Sequence, residues 1–259
     1  MIRNIRWPVR WSGFLLVIMI GGCASQGPSR HEVAQVNYEL GVGYWRQGQY
    51  DVALQKLRRA KQADPMRADI HSALGLVYES KNRPELAEEQ HQDAVSLVAQ
   101  RSSHYGVVHN NYGAFLCRHG ELNKAMDEFQ KAIGSPQYDT PEAAYENMGV
   151  CALRMPDLER AEQAFRKALQ RNPRMPTSLL HMAEIEMNQD NPRQGRAFLQ
   201  RYHQIAPATP ESLWLGFRIE RALGEQENAQ RYAQRLTVQF PESQQANRLG
   251  ELDKVQEEQ

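Results

Sequence analysis

Long apolar runs are almost missing from this sequence. The one greasy stretch, WSGFLLVIMI, covers ten residues from Trp11 to Ile20, against the roughly 20 that a helix needs to span a bilayer. Cysteine is as scarce: Cys23, Cys117 and Cys151 are too few for a disulfide scaffold. Net charge is missing too, since 31 Lys and Arg balance 31 Asp and Glu, and nucleic-acid binding wants a basic stripe. No Pro/Gly/Ser linker divides the folded part into domains. Chemistry is equally hard to find. There is no His-Glu-x-x-His, no Cys-x-x-Cys and no phosphate-cradling glycine loop. His104 and His109 stand five apart, a poor spacing for two ligands on one helix face. These absences argue against an enzyme, a metal site, a cofactor or a small-molecule substrate. Surface is what remains.

What is present begins at the N-terminus. Arg3, Arg6 and Arg10 precede the apolar run, and no acidic residue occurs in the first 22 positions. A positive start, an apolar centre and small residues after it form the layout of an export signal. A buried N-terminal helix would instead show polar positions at regular spacing. Removing residues 1–22 leaves 28 basic against 31 acidic residues, a charge of −3. The run ends in IGGC, Ile20 to Cys23, which resembles the bacterial lipobox. The resemblance implies that Cys23 takes a diacylglycerol on sulfur, becomes the mature N-terminus and is then N-acylated. Two or more acyl chains anchor stably where one does not. Ala24 follows instead of Asp, and by analogy with lipoprotein sorting this favours the outer membrane. Residues 23–33, with the tract ASQGPSR inside them, read as a lipidated spacer.

An internal repeat decides the fold. Asn37 to Pro65 carries Leu40-Gly41, Tyr44, Gly48, Tyr50, Ala53, Leu57, Ala60 and Pro65. This resembles the tetratricopeptide pattern, with Asn37 in the usual tryptophan place. Further units carry Leu74-Gly75, Tyr112-Gly113 and Met148-Gly149, and two weaker ones carry Met182-Ala183 and Gly216 with Gly224. The first glycine-to-glycine steps are 34, 38 and 36 residues. Glycines and alanines let two helices approach, and large apolar residues fill the rest. The expected structure is all-α: a right-handed superhelix of six helical pairs, stable only as a stack. The repeats fall at about 34–67, 68–101, 106–139, 142–175, 176–209 and 210–243, with 244–259 a capping helix or polar tail. His71 and His109 share the fourth repeat position and read as packing residues. Cys117 and Cys151 could pair in an oxidising compartment, but the preferred reading is two small core residues.

In tetratricopeptide arrays the first helices line a concave groove through positions two, five, nine, twelve and thirteen. By that register the first repeat offers Gln35, Tyr38, Val42, Trp45 and Arg46. The groove would continue through Leu76, Ala114, Val150, Leu153, Leu180, Met187 and Trp214 as a mostly apolar trough. Tyr and Trp are enriched at binding hot spots, and such a trough suits an amphipathic helix or an extended apolar segment. The opposing reading packs Tyr38 and Trp45 against the spacer or a neighbouring repeat.

Three stretches narrow the resemblance: NNYGAFLC (Asn110–Cys117), ENMGVCAL (Glu146–Leu153) and LGVGYWRQGQYDVAL (Leu40–Leu54). They are similar to the type IV pilus biogenesis lipoproteins called pilotins, the PilF/PilW group, and the similarity spans nearly the whole chain. It implies a non-enzymatic protein in the outer membrane, lipid-anchored and facing the periplasm. Such a protein binds subunits of the secretin, the ring through which the pilus emerges. It aids their localisation and multimerisation, so pili and twitching motility depend on it. The alternative is a tetratricopeptide scaffold lipoprotein of another envelope complex, for outer-membrane protein insertion or cell-wall synthesis.

Overall fold

Thirteen helices build the chain over residues 27–257, the part that the computed structural model describes. The export signal and Cys23 lie outside the described residues. Six helical hairpins follow one another: α1 (Arg30–Arg46) with α2 (Tyr50–Ala63), α3 (Ala68–Ser80) with α4 (Pro84–Leu97), and α5 (Tyr105–Arg118) with α6 (Leu122–Ile133). Then come α7 (Pro141–Arg154) with α8 (Leu158–Arg171), α9 (Pro176–Asn188) with α10 (Pro192–His203), and α11 (Pro210–Ala222) with α12 (Gln226–Gln239). The last helix, α13 (Gln244–Glu257), packs on α11 and α12.

One backbone feature recurs at the same register in every hairpin. Gly48, Asn82, Gly120, Asp190 and Gly224 have φ of 74°, 54°, 88°, 61° and 77°. The left-handed region suits glycine and is tolerated by Asn and Asp. Pro156 holds this place in the fourth hairpin at φ 26°, a value its ring opposes.

Small-against-large packing closes each pair. The alanines Ala53, Ala60, Ala87, Ala94, Ala125, Ala132, Ala161 and Ala168 are all fully buried, so second helices have no room for a larger residue there. The first-helix glycine faces a large partner on the second helix. A Cβ on Gly41 would sit 2.5 Å from Leu57, one on Gly113 2.9 Å from the Phe129 ring, and one on Gly149 2.6 Å from Phe165. In the second repeat the partner of Gly75 is His91, 2.7 Å from the added Cβ. By contrast, Gly43 in mid-α1 has nothing within 4 Å. Gly149→Ala is therefore expected to destabilise by about 2 kcal/mol, because the buried Phe165 ring must give way. Gly43→Ala should stabilise by about 0.5–1 kcal/mol through helix propensity. Urea titrations of both variants check the pair; shifts of the same sign would refute the packing argument.

The layers then follow from who touches whom. Each odd helix packs on its even partner, and each even helix on the next odd one. Successive odd helices also touch along the whole array, whereas among the described residues no two even helices do. The odd helices are thus the inner, closer-spaced layer, and the stack curves around them. At the N-terminal end α1 has no predecessor. Val36 and Leu40 are 54% and 42% exposed, while their counterparts Ile70 and Leu74 are buried.

At three points the structure revises the sequence expectations or chooses between them. Residues 30–33, assigned to the spacer, are helical. Ser29 and Glu32 form a reciprocal capping box, with N–H···O distances of 2.7 and 3.2 Å, that starts α1 at Arg30. At the other end, helix α13 buries Ala246 and Leu249 against Leu213 and Leu236, covering the last hairpin. The third concerns the cysteines. Cys117 on α5 and Cys151 on α7 are buried, but they are not separate thiols: they form a disulfide across the inner layer, with Cα atoms 5.8 Å apart. Touching inner helices of consecutive repeats place the two side chains within bonding reach.

His71 and His109 are buried. His71 Nε2 lies 2.9 Å from the Pro65 carbonyl oxygen, and the His109 ring bonds Glu128. The Glu128 carboxyl feels its own burial as an upward push. The bonds from His109 and Lys131 outweigh it and hold the pKa below the usual carboxylate value. Among the described residues no three metal-ligating side chains gather.

Candidate functional site

The inner layer opens into a cavity of about 160 Å³ at its N-terminal end. Helix α1 contributes Tyr38, Val42, Trp45 and Arg46. Helix α3 adds Asp69, Ser72, Ala73 and Leu76, and the start of α5 adds Val107, Val108 and Asn111. Leu57 forms the floor, and His104, from the insertion before α5, stands at the rim. Five residues expected in the groove thus meet in one place: Tyr38, Val42, Trp45, Arg46 and Leu76.

Neighbouring repeats hold these walls in position. Trp45 Nε1–H donates to Ser80 Oγ at 2.9 Å, so the indole leans on the second repeat while keeping a face to the cavity. The Arg67 guanidinium lies 5.3 Å from the Tyr38 ring centroid. Its Nε and Nη2 donate to both oxygens of buried Asp69, at 3.1 and 2.5 Å, and its Nη1 donates to Gln35 at 2.9 Å. The Asp69 bond pushes the Arg67 pKa up, and burial, helped by Asp69, raises that of the Tyr38 phenol. Both aromatic residues are half-buried. Each packs against the next repeat and still lines the opening.

Polar rows border the apolar lane on both sides. Along one, Asn111 donates to Ser72 (3.0 Å), Asn147 to Asn110 (3.0 Å), and the Ser178 hydroxyl to Glu146 (2.7 Å). Along the other, Arg118 makes two bonds to Glu79 (2.5 and 2.7 Å), and Arg154 bonds the Cys117 carbonyl. These bonds link consecutive inner helices and fix their spacing.

The lane between them changes character along the array. At the ninth repeat position it holds Val42, Leu76, Ala114 and Val150, then Glu184 and Arg218. At this position the apolar character belongs to the first four repeats, while Leu180, Met187 and Trp214 supply apolar residues in the last two at other positions. Leu153, Leu180 and Met187 are half-buried against the main core. Trp214 is half-buried as well, with its ring 5.5 Å from that of Phe217 in the terminal cluster. None of these four lines the cavity.

Sequence reasoning missed several of the cavity's polar residues. Asp69 and Ser72 occupy the second and fifth positions of their repeat and were readable by the same register as Gln35 and Tyr38. His104 was not, because it lies in the insertion that interrupts the repeat spacing.

The lining, mostly apolar with a few polar groups held by neighbouring repeats, is suited to binding. Comparison with known proteins agrees with the fold. A tetratricopeptide repeat family model matches residues 38–102, and a model for the middle TPR-like domain of cilia and flagella-associated protein 70 matches residues 136–253. The type IV pilus assembly protein PilF of Pseudomonas aeruginosa is 28% identical over 238 residues, covering 89% of this chain and 93% of that one. An uncharacterised protein of Haemophilus influenzae is 30% identical over 162 residues, covering 61% of this chain and 88% of that protein. The solved structure of Pseudomonas aeruginosa PilF superposes with a TM-score of 0.79 at 28% identity, over 85% of this chain and 98% of that one. PilW, a widely conserved type IV pilus biogenesis factor, gives 0.74 at 25% identity, over 84% and 98%. A lined cavity on a repeat scaffold, with likeness running along nearly the full length, leads to one conclusion: this chain belongs to the tetratricopeptide-repeat proteins of type IV pilus biogenesis, the PilF/PilW group.

Proposed function

We propose that the chain is an outer-membrane pilotin. It binds secretin subunits of the type IV pilus through the N-terminal part of its inner groove, and a lipid on Cys23 carries the pair to the outer membrane. The observation that carries this reading is the cavity walled by Tyr38, Val42, Trp45 and Leu76, an apolar recess with aromatic walls. The IGGC motif and membership of the PilF/PilW group support it. The physics is linkage. A subunit held in the groove is withdrawn from aggregation, and anchoring raises its local concentration where rings assemble.

The test combines a pull-down from membranes with two variants. The wild-type protein should capture the secretin and restore heat-resistant secretin multimers and twitching to a deletion strain. Tyr38→Ala with Trp45→Ala should weaken capture at least about tenfold while the far-ultraviolet helical signal stays unchanged. Cys23→Ser should leave the protein off the membrane when expressed without its partner. Normal capture by the double variant would remove the groove from the account. A deletion strain with intact secretin multimers but disturbed envelope assembly would favour the scaffold alternative.

A further inference from the structure

The groove says more about its occupant than that it is a protein. Resting on the pilotin reading, we propose that it takes an extended segment of the partner in which one large apolar side chain neighbours an acidic one. The apolar side chain enters the cavity between α1, α3 and α5, and the carboxylate meets Arg46.

Size comes first. About 160 Å³ lies well below the roughly 300–1,000 Å³ of a small-molecule pocket. It has room for one large side chain with Val42, Leu57, Ala73, Leu76 and Val108 around it. A docked amphipathic helix needs several anchors in file, whereas this recess offers a seat for one.

Hydrogen-bonding capacity points the same way. Asn111 donates to Ser72 and Asn147 donates to Asn110. Neither side-chain carbonyl accepts a bond among the described residues, although both residues are only half-buried. Each can therefore accept a bond from a partner's N–H. A helical partner has already spent its backbone N–H groups internally, whereas an extended one still offers them.

Charge settles the second side chain. Besides the Tyr38 phenol, which burial keeps neutral, the ionisable groups on the cavity wall are Arg46, Asp69 and His104. Both Asp69 oxygens are taken by Arg67, with His104 Nε2 3.7 Å away. Arg46 is exposed and makes no ion pair among the described residues. The rim is therefore complementary to an acid and repels a base.

The experiment titrates full-length protein in detergent into a fluorescein-labelled peptide, Gly-Ser-Asp-Phe-Pro-Ser-Gly, and reads anisotropy. The proline keeps the phenylalanine in extended backbone. Saturable binding is expected. A peptide with Lys for Asp should bind about fivefold more weakly, and one with Ala for Phe should lose binding. Arg46→Glu, at an exposed position, should reverse the preference between the Asp and Lys peptides. Absent binding, equal binding of the three peptides, or an unchanged order with Arg46→Glu overturns the proposal. An alanine-rich helical peptide carrying Asp-Phe that binds more tightly overturns it as well. Secretin capture on the same preparation separates the two levels. Capture without peptide preference sinks this inference alone, and loss of both sinks the pilotin reading with it.

Discussion

Reduction of the Cys117–Cys151 bond is expected to cost about 4 kcal/mol of unfolding free energy. The bond closes a loop with a sequence separation of 34, and chain-entropy arithmetic for that length gives about this value. In a chain of this size each kcal/mol moves the melting point by about 2–4 °C, so dithiothreitol should lower it by about 8–16 °C. The loss should centre on the third and fourth repeats, because a repeat stack is held by nearest-neighbour interfaces. It should also reach the groove, since the bond ties α5 to α7 in the inner layer. Thermal melts with and without reductant provide the measurement. Cys117→Ala with Cys151→Ala serves as the control, which reductant should not move. A wild-type protein whose melt ignores the reductant would refute the claim.

The second large effect is acid destabilisation through His91. This imidazole sits fully buried at the place where Phe129 and Phe165 sit in later repeats, packed under Gly75 and beside the rings of Tyr112 and Phe115. Neither ring nitrogen has a hydrogen-bond partner among the described residues. Burial disfavours the charged form and pushes the pKa from 6.5 down to about 4. Between those values the unfolded chain holds the proton and the folded one does not. Stability is therefore unaffected above pH 6.5 and falls as pH drops towards 4, by on the order of 3 kcal/mol in all. Other groups titrate too: the Glu128 and Glu162 carboxyls, both held low, lose their stabilising bonds when protonated. A substitution isolates the imidazole. His91→Leu, which installs the residue that Leu57 and Leu199 supply in other repeats, should remove most of the loss between pH 7 and pH 4.5 in urea titrations. Equal losses in both proteins would refute the assignment.

His91 stands sixteen residues after Gly75, as Phe129 and Phe165 stand after Gly113 and Gly149, a position that takes a large buried side chain. Spacing gives a position and its burial; it does not say which hydrogen bonds are left unmade. Register gathers Tyr38, Val42, Trp45, Arg46 and Leu76 at one cavity, but it does not say how far a cavity extends past Val150, where Glu184 and Arg218 hold the ninth position.

By itself the sequence determined the helical hairpins, their number and their order, and the resemblance of three stretches gave the kinship with pilus biogenesis proteins. The hairpins follow from local rules: a glycine opposite a large residue, a left-handed turn residue, a proline that opens or closes a helix. Only the tertiary structure decided that Cys117 meets Cys151, that the insertion brings His104 to the cavity rim, and that polar bonds between repeats narrow the apolar lane. These depend on how closely one inner helix lies against the next. That distance is set by packing summed over many residues and is written in no single repeat.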